Sequence, residues 1–232
     1  MEEKDISALM QEYLRESAMG NASSMRKLAD IYYENKKYKD PSKAVFWYEK
    51  ASENGDNAAM NILATIYLEG KLVEQNTEKA IELFTKAAQS DSSAMNNLGL
   101  IYRDGIGVDK DVAKSEKWFK KAIENKNNFA VFHLGILYFD TGNIEEALKL
   151  IEQSVEEGNT KAMLFLGGAY YTGKGVKKDL KKAFHYFAKA ADENDIDGMN
   201  SVAYMYERGE GVEENKVKAA FFRKRVRTLK NA

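Results

Sequence analysis

Met163-Leu164-Phe165-Leu166-Gly167-Gly168-Ala169-Tyr170 carries the pattern that decides the architecture. Its Met, second Leu, first Gly and Tyr fall at i, i+3, i+4 and i+7, which is one stripe of a helix. The same stripe recurs at Met25-Leu28-Ala29-Tyr32, Met60-Leu63-Ala64-Tyr67, Met95-Leu98-Gly99-Tyr102, Val131-Leu134-Gly135-Tyr138 and Met199-Val202-Ala203-Tyr206. Measured on the Leu/Val position, the steps are 35, 35, 36, 32 and 36 residues. A fixed period in that range means stacked supersecondary units that share a continuous core. The Met column is packing material, since Met fills irregular gaps between helices.

Outward from the stripe, glycine follows at Gly70, Gly105, Gly173 and Gly209, where a helix ends in the left-handed conformation. A second helix then opens behind Asp40, Asn76, Asp111, Asn143, Asp179 or Asn215, all residues whose side chains cap orphan amides. Pro41 occupies the first helical position, where proline is tolerated. Four residues past each cap stands Ala44, Ala80, Ser115, Ala147, Ala183 or Ala219, followed by a large pair such as Trp47-Tyr48, Trp118-Phe119 or Tyr186-Phe187. Small residues let helix axes approach and large ones fill the space between. Trp118 is expected to be a buried member of this aromatic column. At the last repeat Arg223 replaces an aromatic, as a solvent-facing cap requires.

The expectation is therefore an all-α chain, one solenoid over residues 1–232. Residues 1–21 supply an N-terminal capping helix, 22–213 the repeats and 214–232 a last, basic helix. Hydrophobic content of 44% against 31% charged residues is that of a folded chain, and a net charge of −1 provides no global field to recruit nucleic acid or membrane. Cysteine is absent, which excludes disulfides, a thiol nucleophile and thiolate metal sites. The charged start lacks a secretory profile and no window is apolar enough to span a bilayer, so a cytoplasmic protein without membrane insertion is expected. Its oligomeric state is left open, with a monomer favoured.

The residues Leu98-Gly99, Tyr102 and Gly105-Ile106-Gly107-Val108, and again Leu166-Gly167, Tyr170, Gly173-Lys174-Gly175-Val176, Lys182-Ala183 and Lys189-Ala190-Ala191, resemble the Sel-one-like repeat family, a branch of the tetratricopeptide-repeat superfamily. The resemblance covers about residues 22 to 230. It implies a right-handed α/α superhelix of helix-turn-helix repeats that binds other proteins, with the first helix of each pair lining the concave face. The cysteine pair of the family's secreted members is missing. Repeat one lacks the Gly-x-Gly-Val turn, and repeat four has the shorter Asp140-Thr141-Gly142-Asn143 in its place.

Little here supports catalysis. The Gly-x-Gly-Val turns lack the preceding strand and third glycine of a dinucleotide site and read as punctuation. His133 and His185 lie about one and a half repeats apart, with no ligand set or nucleophile beside them. No catalytic residue, metal or cofactor is expected.

If first helices line the groove, the side chains away from the stripe meet the partner. The expected partner-binding residues are Asn61, Asn96, Leu100, Arg103, Phe132, Ile136, Phe139, Leu164, Tyr171, Asn200 and Tyr204, an apolar centre with a polar rim. The tighter turn of repeat four could instead fold Phe132 and Phe139 into the core. Asn offers both donor and acceptor to the backbone of an extended peptide. The expected function is a non-catalytic scaffold or adaptor for a peptide, helix or folded protein in a signalling, secretion or toxin-immunity complex. The alternative is nucleic-acid or anionic-surface binding by Arg223, Lys224, Arg225 and Arg227 on the last helix. Nucleic acid is not the leading partner, because no base-reading motif accompanies those charges.

Overall fold

The computed structural model describes residues 3–231, with side chains from residue 6 onward. Its described residues form thirteen helices and no strand. Helix α1 (Glu3–Ala18) precedes six pairs: α2 (Ala22–Glu34) with α3 (Pro41–Glu53), α4 (Asn57–Glu69) with α5 (Thr77–Ala87), and α6 (Ser92–Asp104) with α7 (Val112–Glu124). Then come α8 (Asn128–Asp140) with α9 (Ile144–Glu156), α10 (Thr160–Thr172) with α11 (Leu180–Asp192), and α12 (Ile196–Arg208) with α13 (Lys216–Lys230). The chain divides into two compact units, Met1–Asn127 and Asn128–Ala232. The first holds α1 and repeats one to three, the second repeats four to six.

Each hairpin is closed by the same backbone bond. The amide of the second helix's N-cap donates to the carbonyl of the stripe tyrosine, from Asp40 to Tyr32 at 2.9 Å through to Asn215 to Tyr206 at 2.8 Å. Five of the six predicted caps also accept an amide of the first turn, as Asp111 does from Lys114 at 2.9 Å. Asn143 is the exception and makes no side-chain cap bond. First helices are capped as well, by Asn21, Asp56, Asp91, Asn159 and Asp195.

Three residues past five of the caps a lysine enters the first turn, where its charge has the wrong sign for the helix dipole. The stripe tyrosine explains it. Lys43, Lys79, Lys114, Lys182 and Lys218 each lie over the ring of their own repeat's tyrosine, 4.1 to 5.3 Å from its centre. Each such contact contributes about 0.5–1 kcal/mol at an exposed site. Repeat four carries Glu146 at this position.

Packing within a hairpin depends on the small residue of the stripe. A Cβ at Gly99 would stand 2.4 Å from the ring of Phe119, and one at Gly167 2.6 Å from that of Phe187. Phe119 is fully buried, as are Tyr48, Phe84 and Ile151 at the equivalent place. Trp118, expected in the core, is only half-buried. In repeats three to five it is the second residue of the large pair (Phe119, Ile151, Phe187) that falls under the glycine of the first helix, since adjacent residues on a helix point about 100° apart.

Candidate functional site

In the first unit the predicted groove residues are largely committed to neighbours. Asn61 accepts a hydrogen bond from Asn97 Nδ2 at 3.0 Å, which ties α4 to α6. Arg103 lies bidentate on adjacent Asp104, at 2.8 and 2.9 Å. Leu100 is half-buried. Asn96 departs from expectation: it is the third of three consecutive buried residues, after Ala94 and Met95, and its short side chain ends below the surface. Arg26 bridges Asp30 and Asp56, and Asp30 also accepts the hydroxyl of buried Tyr48 at 2.8 Å. A cavity of about 450 Å³ between α1 and α2 includes Asp30 and Ile31 but none of the predicted groove residues.

In the second unit Phe132, Ile136, Leu164 and Tyr171 are half-buried against a core that includes Ile151, Leu166 and Met205. Phe139 is a correction. It is buried, and its ring meets Phe165 edge-on at 4.9 Å. The physical cause is the turn of the following repeat: Gly175 comes down on Phe139 so closely that a Cβ there would lie 2.3 Å from the ring tip. The short turn of repeat four leaves that space, and Phe139 fills it.

Three predicted residues do converge. Tyr171 from α10 and Asn200 and Tyr204 from α12 line a cavity of about 390 Å³, with Ser201, Phe187 and buried Met205 completing the wall. Its polar edge is built. Tyr171 Oη donates to Glu210 at 2.7 Å, and Arg208 Nε donates to the other carboxylate oxygen at 2.9 Å. The Arg208 guanidinium also lies 5.3 Å above the Tyr204 ring, and the Lys178 ammonium 5.7 Å above that of Tyr171. The hydrogen bond to the Glu210 carboxylate, then burial and the Tyr204 hydroxyl, push the Tyr171 phenol up to about 12. Donation from Tyr171 and Arg208 lowers Glu210 in return.

The sequence reading missed Glu210, Arg208, Phe187 and Ser201. For Glu210 a signal existed, because it is the middle residue of Gly209-Glu210-Gly211-Val212, a place held by Ile106 and Lys174 in the other such turns. The four predicted basic residues of α13 do not act together. Arg223 grips Glu207 through two nitrogens, at 2.6 and 2.7 Å, and Arg225 reaches Asn194, while Lys224 and Arg227 are exposed. Among the described residues no group of three or more His, Asp or Glu could hold a metal ion, and no helix is long and apolar enough to cross a membrane.

The hairpins, their closing bonds and their small-over-large packing define one repeat, and the Sel1 repeat pattern matches it at residues 22–56, 57–92, 92–127, 129–159, 160–195 and 196–222. The chain belongs to the Sel1 repeat family. A Sel1 repeat protein from Oxalobacter formigenes has a similar structure, with a TM-score of 0.78 and 28% identity over 92% of this chain and 90% of that one. The antigen c5321 of uropathogenic Escherichia coli, displaying an SLR fold, superposes with a TM-score of 0.76 at 27% identity, over 95% of this chain and 48% of its own. HRD3A of Arabidopsis thaliana, named as a component of an ERAD-associated E3 ubiquitin-protein ligase, is 35% identical over 78 residues. That match spans 33% of this Sel1 chain and 12% of the relative.

Proposed function

We propose that this Sel1 repeat chain is a non-catalytic scaffold that takes a protein partner on its first helices, with an anchor point at Tyr171, Asn200 and Tyr204. The cavity these residues line carries the reading. It has an apolar floor in Phe187 and Met205 and a polar edge held in place by the Tyr171–Glu210–Arg208 bonds. A pre-formed concavity with few, fixed polar groups suits the insertion of an apolar side chain from an extended segment. Asn200, on the cavity wall, offers donor and acceptor to that segment's backbone. Half-buried Phe132, Ile136 and Leu164 on α8 and α10 add apolar surface on the first helices of the same unit. Membership in a family whose relatives include a named complex component supports assembly rather than chemistry as the task. Signalling, secretion and toxin–immunity complexes are the classes in which such a scaffold would serve.

The test compares proteins retained from cell extract by the native chain and by Tyr204→Ala with Asn200→Ala. A partner held by the native chain and lost by the double variant, with both melting alike, supports the reading. A partner held equally by both removes this cavity from recognition.

A further inference from the structure

The outer strip of α13 breaks a rule that the other second helices keep. Positions two, six, nine and thirteen past the N-cap form the outer strip of each second helix, exposed at the residues that follow except Glu49 and Ala188, which are half-buried. They read Ser42, Phe46, Glu49 and Glu53 on α3, and Ala113, Lys117, Lys120 and Glu124 on α7. On α9 they are Glu145, Lys149, Glu152 and Glu156, and on α11 Lys181, His185, Ala188 and Asp192. On α5 the strip includes Glu78 and Glu82. Every one contains an acid. On α13 the strip is Val217, Phe221, Lys224 and Thr228, all exposed, with no acid and two large apolar residues. Val217 is 81% and Phe221 59% exposed.

Charge concentrates on the same helix. Seven of the chain's 35 basic residues and none of its 36 acids lie within α13, so the other residues, with 28 bases against 36 acids, carry a net charge of −8. Lys224 stands in the strip and Arg227 beside it. Both are exposed and hold no ion pair among the described residues. Arg223 and Arg225 are occupied by Glu207 and Asn194. Ala219 and Val226 bury the opposite side, so α13 is held with this strip outward.

We propose that the outer face of α13 is a peripheral docking surface for an anionic lipid membrane. A helix lying at a bilayer interface needs apolar side chains to enter the headgroup region and Lys or Arg beside them to meet anionic lipid. Val217 and Phe221 supply the first, Lys224 and Arg227 the second. A nucleic-acid backbone would use the cations and leave the exposed valine and phenylalanine without a role. Complementarity is local: within a screening length of about 8–10 Å the surface meets α13 and not the acidic remainder.

The experiment is co-sedimentation of the full chain with phosphatidylcholine vesicles, pure or containing about one-third phosphatidylserine, at low and at physiological salt. Retention on the anionic vesicles alone, weakening as salt rises, is expected. Lys224→Glu with Arg227→Glu should reduce it at least tenfold. Val217→Ser with Phe221→Ser should reduce it several-fold and leave the salt dependence unchanged. All four side chains are exposed, so thermal melts should match those of the native chain. No retention on anionic vesicles at low salt overturns the proposal, as does retention that neither pair of substitutions alters. Binding to duplex DNA that survives Val217→Ser with Phe221→Ser, together with vesicle binding that DNA displaces and those serines leave intact, would reassign the surface to nucleic acid.

Discussion

Repeats four and five lie side by side in the second unit, yet they treat equivalent residues in opposite ways. Phe139 and Tyr171 each follow the stripe tyrosine of their first helix. Phe139 is buried under Gly175, whereas Tyr171 reaches a cavity and bonds to Glu210. The hairpin turn makes the difference. Repeat five leaves α10 through Gly173-Lys174-Gly175-Val176 and enters α11 behind Asp179, whose carboxylate accepts the amides of Lys181 and Lys182 at 3.0 Å each. Repeat four crosses in Thr141-Gly142-Asn143 without a side-chain cap. A long turn folds back on the preceding repeat, and what it meets depends on that repeat's own turn. Gly107 meets Thr77 and Gly211 the Leu180 carbonyl, both at the start of the preceding second helix, but Gly175 meets Phe139. Surface in a solenoid is thus decided by the neighbouring repeat as much as by the residue's own column.

The sharpest break of this comparison is Phe139→Ala against Tyr171→Ala. Removal of a buried phenylalanine costs about 3–5 kcal/mol, while the half-buried tyrosine should cost about 1 kcal/mol. Denaturant titrations of the two variants measure it. Equal losses would mean that the turn of repeat five does not cover Phe139.

Next in size is Gly175→Ala against Gly142→Ala. Both glycines have positive φ, +72° and +87°, but a Cβ at Gly142 meets nothing within 4 Å. Left-handed strain alone should cost Gly142→Ala about 1–2 kcal/mol. Gly175→Ala adds overpacking on Phe139 and should reach about 2–4 kcal/mol. In Gly175→Ala with Phe139→Ala the effects should be less than additive, because the clash is gone.

A smaller contrast is the cap. Asp179→Ala should cost about 1 kcal/mol, and Asn143→Ala less than about 0.5 kcal/mol, since no side-chain bond is lost. Thermal melts of the pair decide it, and equal effects would show that Asn143 caps α9 in solution.

The smallest effect is a titration. Tyr171 ionises at about 12 instead of the ordinary 10.0, chiefly through its hydrogen bond to Glu210. The raised value favours the protonated phenol in the folded chain. Its contribution is complete below pH 10 and is lost as pH rises through about 12. Ultraviolet titration of Glu210→Gln should show one tyrosine returning toward 10, and an unchanged curve would remove Glu210 as the cause.

Local chemistry made the repeat legible. The stripe, the capping Asp and Asn and the closing glycines all act within a few residues of chain, so their spacing marks the hairpins wherever they occur. Three equivalent columns, read across six repeats, also brought Tyr171, Asn200 and Tyr204 into the expected groove, and the structure gathers them at one cavity. Which column members are surface was not legible, because burial depends on neighbours 30 or more residues away. Phe139 is covered by Gly175, and Tyr171 is oriented by Glu210, 39 residues along the chain. Within one hairpin the choice also depends on the facing helix: of the adjacent aromatics Trp118 and Phe119, only Phe119 falls under Gly99 of α6. Periodicity carries angular position on a helix, whereas exposure is a property of the space between helices, and that space exists only once the repeats are stacked.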